Sequence, residues 1–416
     1  MSQRVIFHID VNSAFLSWTA AEHIFKGGTL DYRRINSAIA KEGMGKNIIL
    51  AKSEGAKKQG VVTGEPVWQA RAKCPDLVIL EPDYKLYLRA SAAMKRLFFD
   101  YTPLVEVFSI DECFLDMTGQ EKFFGPPEIA ARGIKERVKS ELGFTVNVGV
   151  GDNKPLAKMA SELKKPDLVH TLWSEELAVK LWPRPIDFLF MAGPQSVKKL
   201  RKIGLDTIGK LASVNRQFIN DYMGKQGDML YRYANGIDNE PVLAGEGAPP
   251  KSVSQSITLP LLLDHIGEAE AIFLYIAECL GAKLRQRQLT AGTIYVGVKD
   301  RDRVYRGKQQ RVAEPLLHRR TIFNYGVELL RQIWPVNGVR YVGIGLSDLQ
   351  FDRPLAADLF SDAILKEERL DAAVYAIKER FGSEAIIPGK LLNSPVKSYF
   401  RDIGEENDGQ EPPRFF

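Results

Sequence analysis

In RVIFHIDV (residues 4–11) the two-residue period of a strand puts Ile6, His8 and Asp10 on one face. Residues 13–25, SAFLSWTAAEHIF, switch to helical spacing, with Ser13 placed to cap the first turn. NIILAKS (47–53) and LVIL (77–80) predict two more strands, and YKLYLRASAAMKRLFFDY (84–101) predicts an amphipathic helix. LVEVFSIDECFLDMT (104–118) reads as two strands that turn back on each other near Asp111. A helix over 126–142 and a strand over 144–151 follow, then a helix capped by Asn153 that stops before Pro166. Alternating strands and helices predict an α/β or α+β core packed on a sheet.

Beyond Pro166 the texture changes to short helices with glycine turns, over 193–212 and 221–238. NEPVLAGEGAPPK (239–251) has no periodicity and reads as a linker. A further α/β block follows over 251–348, with strands KSVSQSITL, AGTIYVGVKDRD and RYVGIGLSDL and a long helix over 268–288. One helix, over 367–382, is expected in the acidic tail from 349 to 416.

A chain of 416 residues has room for several cores. A net charge of +5 permits a polyanionic partner without demanding one. Cys74, Cys113 and Cys279 are far apart, which argues against a disulfide framework or a structural zinc site. No apolar stretch is long enough to span a membrane, and His8 and Asp10 interrupt what a signal peptide would need. The expectation is a cytoplasmic protein.

The candidate chemistry lies in FSIDECFLDMTG, where Asp111 and Glu112 interrupt an apolar run. Buried neighbouring carboxylates repel unless a cation compensates them. With Asp10 they suit hard divalent ions, Mg²⁺ above all, which keep open positions for phosphate oxygens. Two such ions about 3.5–4 Å apart serve an in-line phosphoryl displacement.

FHIDVNSAFLS, SIDECFLDMTG and VNVGVGDNKPLAKMASELKKPD resemble three motifs of the Y-family (translesion) DNA polymerases. GPQSVKKLRKIGLDTIGKLA resembles that family's thumb, and GIDNEPV followed by KSVSQSITLP its thumb-to-little-finger junction. The resemblance covers about residues 4–348. It implies an α+β multidomain fold, a right-hand polymerase. The ferredoxin-like palm would be 1–13 and 82–172, the fingers 14–81 and the helix–hairpin–helix thumb 173–240. A linker at 241–250, a little finger at 251–348 and a tail at 349–416 complete the chain. The implied activity is low-fidelity, template-directed DNA synthesis without proofreading, acting on primer-template DNA and dNTP as a monomer. The alternative is a catalytically weak relative that serves as a DNA-binding accessory in damage tolerance. A nucleotide cyclase shares paired carboxylates and two metals but has no use for a hairpin thumb or a basic C-terminal domain.

Carried over by position, the resemblance makes Asp10, Asp111 and Glu112 catalytic ligands of two Mg²⁺ ions, for which Mn²⁺ can substitute, with the Val11 carbonyl a further ligand. Ala14 and Phe15 would border the nucleotide, with Phe15 at the position whose ring excludes a 2′-hydroxyl. Lys158, and more weakly Lys154, would meet the triphosphate near a helix N-terminus. The fingers depart from the family pattern. Glu54 and Lys57 stand where it usually has Tyr and Arg, so Lys57 would act as a point charge without arginine's fork and Lys52 could substitute.

Residues 283–320 hold 11 Lys or Arg against three acids, a net +8 that reads as a phosphate-tracking surface. Arg285, Arg287, Arg301, Arg303, Arg306, Arg319 and Arg320 are the candidates there. In the thumb, Gly193 and Lys198 are the candidates, and Met191 occupies the usual place of the first hairpin glycine. AADLF (356–360) sits where relatives carry a sliding-clamp peptide, with Leu359 and Phe360 as its anchors.

Overall fold

The computed structural model describes residues 3–41, 47–244, 250–335, 337–351 and 362–382, together with 385, 386 and 389. These residues fall into two compact units, the first ending at 244 and the second starting at 250.

The first unit begins with strand β1 (Ile6–Val11) and helix α1 (Ala14–Phe25). Ser13 precedes α1, but at φ 49° it is left-handed and its side chain caps nothing, contrary to expectation. A small sheet follows, of β2 (Ser37–Ile39), β3 (Ala51–Lys52) and, after helices α2 (Glu54–Lys58) and α3 (Val67–Lys73), β4 (Val78–Leu80). Only two residues of the strand expected over 47–53 pair as one, since Ile48 bridges to Pro66 instead.

Helix α4 (Tyr84–Phe98) is shorter than its pattern predicted. Strands β5 (Val105–Val107) and β6 (Glu112–Asp116) form the turn-back near Asp111. Then come α5 (Glu121–Phe124), α6 (Pro127–Leu142), β7 (Val146–Gly151), α7 (Lys154–Glu162) and β8 (Val169–Leu172). Five strands make one sheet in the order β5-β6-β1-β7-β8, with β1 antiparallel to both neighbours and β7 parallel to β8. Phe7, Ile9 and Val11 pack on one face with Trp18 of α1, Met94 and Phe98 of α4, and Ile134 and Val138 of α6. On the other face lies α7. Its Asn153 cap accepts the Leu156 N–H at 3.0 Å, as predicted. Alpha-helix α7 lies close because β7 offers no side chain there: a Cβ on Gly149 would stand 2.0 Å from the Ala157 carbonyl oxygen.

Helices α8 (Pro194–Lys202), α9 (Ile208–Ser213), α10 (Arg216–Met223) and α11 (Lys225–Ala234) close the unit around Leu200, Ile208, Leu211 and Leu230.

The second unit has strands β9 (Ser252–Leu263), β10 (Leu289–Asp300), β11 (Tyr305–Leu316) and β12 (Val339–Phe351) in the order β11-β10-β12-β9. Helices α12 (Ile266–Gln286) and α13 (Arg319–Ile333) pack on one face, over Ile294, Val296, Val298, Val342, Ile344 and Leu346. A last helix, α14 (Asp362–Phe381), follows. Strand β11 and helix α13 were not anticipated.

Candidate active site

The antiparallel register of β1 and β6 sets Asp10 directly opposite Glu112. The Val11 N–H donates to the Asp111 carbonyl oxygen at 3.2 Å, so the turn before β6 is tied to the end of β1. Asp10 and the adjacent pair Asp111 and Glu112, a hundred residues apart in sequence, thus come to one sheet end. Their side chains are held differently. Asp10, only 6% exposed, takes the Lys165 ammonium, and Glu112 Oε2 takes the Lys158 ammonium. The Asp111 carboxylate instead accepts the Ser109 hydroxyl at 2.6 Å.

Lysines therefore compensate the buried acids. Lys165 was not anticipated: it stands in a Lys-Lys-Pro turn that no periodicity marks. Asn147 secures that turn, donating to the Ser161 and Lys164 carbonyls at 2.9 and 2.7 Å, while Asn12 Oδ1 accepts the Asp167 N–H at 2.9 Å. The Lys158 ammonium also stands over the Phe108 and Phe190 rings, 5.2 and 5.7 Å from their centres. Lys154 lies between Glu106 and Glu240, at 3.2 and 3.5 Å.

Burial pushes the Asp10 carboxyl up to about 6 against the pull of Lys165. Burial also acts upward on Glu112, but the His8 and Lys158 contacts outweigh it and hold that carboxyl at about 2. His8 is itself buried, which lowers it to about 4 and leaves the ring neutral at pH 7.

Hard oxygen donors of this kind fit a divalent cation such as Mg²⁺ better than a soft metal. Asp10 and Glu112 face each other directly, while the Asp111 carboxylate is turned to the Ser109 hydroxyl. Among the described residues no three His, Cys, Asp or Glu side chains already stand close enough to hold an ion.

Phe15 stacks flat on Tyr87, ring centres 4.4 Å apart at 4°, with Tyr84 edge-on at 6.1 Å. Ala14 beside it is buried. Lys57 and Glu54, both largely exposed on α2, pair at 3.5 Å, and Lys52 donates to Thr63 at 2.9 Å.

Gly193 precedes α8, on which Lys198 is exposed. Met191 adopts φ 65°, so it takes the left-handed backbone that a glycine would supply. Arg287, Arg301, Arg303, Arg306 and Arg320 are exposed. Arg285 and Arg319 are instead only about a quarter exposed. Both close on the buried Asp371 of α14, at 3.1 and 3.0 Å, in ion pairs not aligned as hydrogen bonds. Across the sheet from α12 and α13, Tyr295 and Tyr305 share a hydroxyl contact of 2.7 Å, and Lys299 stands 5.1 Å from the centre of the Tyr341 ring. Leu359 and Phe360 lie outside the described residues. Among the described residues no helix is long and apolar enough to cross a membrane.

Residues 9–162 match the impB/mucB/samB family, and residues 250–359 match that family's C-terminal domain. The chain is 36% identical to DNA polymerase IV of Clostridium acetobutylicum over 95% of its own length and 100% of that protein's. It is 31% identical to DNA polymerase IV 2 of Bacillus subtilis, over 96% and 98% of the two chains. A solved Y-family DNA polymerase chimera superposes with a TM-score of 0.70 at 21% identity, covering 83% of this chain and 98% of the chimera, so the α+β fold is that of a right-hand polymerase. The chain belongs to the impB/mucB/samB family, that of the Y-family DNA polymerases.

Proposed function

We propose that this chain is a DNA-directed DNA polymerase that inserts nucleotides opposite damaged template bases, transferring a nucleotidyl group from dNTP to a primer 3′-hydroxyl. One observation carries the reading: Asp10 and Glu112 face each other across β1 and β6, each with an ammonium group at its carboxylate. That pairing supports a site built for positive charge.

Asp10, Glu112 and Asp111, with the Val11 carbonyl, are the residues that would hold two Mg²⁺ ions, Mn²⁺ substituting. Bound divalent ions would neutralise the phosphates and favour ionisation of the 3′-hydroxyl. The chain's own groups do the rest. Lys165 and Lys158 sit on flexible stems at the carboxylates, and an arriving triphosphate offers their ammonium groups a second anion. Lys57 meets the triphosphate's outer end after releasing Glu54, with Lys52 beside it. Lys154 is already engaged by Glu106 and Glu240 and contributes little. Phe15, backed by Tyr87, lies beneath the sugar next to Ala14.

We read 1–13 with 82–172 as palm, 14–81 as fingers, 173–240 as thumb and 251–348 as little finger. Gly193, Lys198 and the exposed arginines 287, 301, 303, 306 and 320 track the DNA backbone. Leu359 and Phe360 are proposed anchors for a sliding clamp, and the enzyme acts as a monomer.

Primer extension over an intact and an abasic template tests the reading. Wild type should extend both with Mg²⁺, and Glu112→Ala should lose about a hundredfold to ten-thousandfold in rate. Equal rates for the two proteins would remove Glu112 from the chemistry.

A further inference from the structure

His8 belongs to none of the ligand positions above, yet it touches one. Its ring is fully buried on β1, with Nδ1 2.8 Å from Ser161 Oγ and Nε2 3.0 Å from Glu112 Oε2. Phe114 packs against it, ring centres 4.8 Å apart. The strand period places it there: His8 and Asp10 share a face of β1, and Phe114 and Glu112 share the facing positions of β6.

The network also decides the tautomer. An ionised Glu112 can only accept, so the single ring hydrogen of a neutral imidazole stands on Nε2 and points at Oε2. Nδ1 is then an acceptor, and it shares the single Ser161 hydroxyl hydrogen with a competing acceptor. That hydroxyl also lies 2.8 Å from the Lys158 carbonyl inside α7. Lys158 holds the same Glu112 oxygen, but on a four-carbon stem that can leave for a phosphate. A ring wedged between Ser161 and Phe114 cannot leave. Among the described residues Oε1 of Glu112 takes no hydrogen bond.

We propose that His8 is a positioning residue that locks Glu112 through Oε2, so that Oε1 stays aimed at a divalent cation when Lys158 departs. This rests on the reading of Asp10 and Glu112 as cation ligands. Partners behind a ligating carboxylate typically set metal affinity by about ten- to a hundredfold.

The test measures Mn²⁺ binding by calorimetry on complexes with a primer-template and a non-hydrolysable deoxynucleotide, alongside melting temperature. His8→Leu should weaken Mn²⁺ binding by about ten- to a hundredfold while leaving primer-template affinity unchanged. His8→Gln, which still offers an N–H, should stay within about threefold of wild type. A folded His8→Leu protein that binds Mn²⁺ like wild type overturns the proposal. Should His8→Leu not fold, Ser161→Ala decides: weakened Mn²⁺ binding supports the role, and wild-type binding overturns it. Wild type that takes up no Mn²⁺ overturns the ligand reading itself, and this inference with it.

Discussion

At position 191 a methionine holds a left-handed backbone, φ 65°, with half of its side chain in solvent. An L-residue there costs about 1–2 kcal/mol, and glycine loses about 0.5–1 kcal/mol of that relief to its greater freedom when unfolded. Met191→Gly should therefore gain about 0.5–1 kcal/mol, seen as a higher urea midpoint at constant slope. A lower midpoint would mean that the methionine is packed to advantage. Phe15 carries a different prediction. Its ring stacks flat on Tyr87, which would hold it in place in the proposed role beneath the sugar. Phe15→Ala should raise the kcat/KM for ribonucleotides relative to deoxynucleotides by about tenfold or more, and an unchanged ratio would end the gate assignment. At this scale the sequence was partly legible. Alternation in β1 was enough to place His8 and Asp10 on one face. Lys165 stayed hidden because its position depends on asparagines 12 and 147 gripping an irregular turn. Ser13 looked like a helix cap because serine is the usual residue there. Its left-handed backbone points the hydroxyl elsewhere, to no N–H of α1.

Helix α7 presents Lys158 only because it can lie close on the sheet. A Cβ at Gly149 would stand 2.0 Å from the Ala157 oxygen and 2.3 Å from the Ser161 nitrogen, both backbone atoms that cannot give way alone. Gly149→Ala should push α7 outward, costing about 3 kcal/mol in urea unfolding and slowing single-nucleotide insertion as Lys158 and Ser161 shift. Stability and rate at wild-type levels would show that α7 does not set the site. Strands β1, β6 and β7 and helices α4, α6 and α7 were readable because the strands are apolar and the helices amphipathic, whereas strand β8 was not, since the residues after Pro166 read as short helices. Strand β11 was not. It is the edge of its sheet, and its sequence YRGKQQRVAEPL is exposed nearly throughout, so no apolar alternation announces it. Edge strands keep charged residues to discourage further pairing, and the same charges disguise them as loop.

Over the whole molecule, the basic surplus read from residues 283–320 divides in two. Arg285 and Arg319 are spent on Asp371, whereas Arg301 and Arg303 are exposed around the turn joining β10 to β11, as is Arg306, whose guanidinium lies 3.9 Å from Asp300. Charge counting along a sequence cannot make this division, because Asp371 comes from a helix some fifty residues downstream of Arg319. Each phosphate contact contributes about 0.9 to the salt slope of binding. Replacing Arg301, Arg303 and Arg306 together by Ala should therefore lower the slope by up to about 2.7. Arg285→Ala or Arg319→Ala should leave the slope alone and lower the melting temperature, since either leaves Asp371 buried with one partner fewer. A triple variant with the wild-type slope would move the DNA surface elsewhere.

The central claim is that Asp10 and Glu112 gather divalent cations around an incoming nucleotide. Anomalous scattering from Mn²⁺ in crystals of the enzyme with primer-template and a non-hydrolysable dNTP tests it directly. The account predicts a peak between the Asp10 and Glu112 carboxylates, with Lys165 drawn from Asp10 towards the phosphates. A bound nucleotide with no peak there, and with both lysines still on their carboxylates, would contradict it.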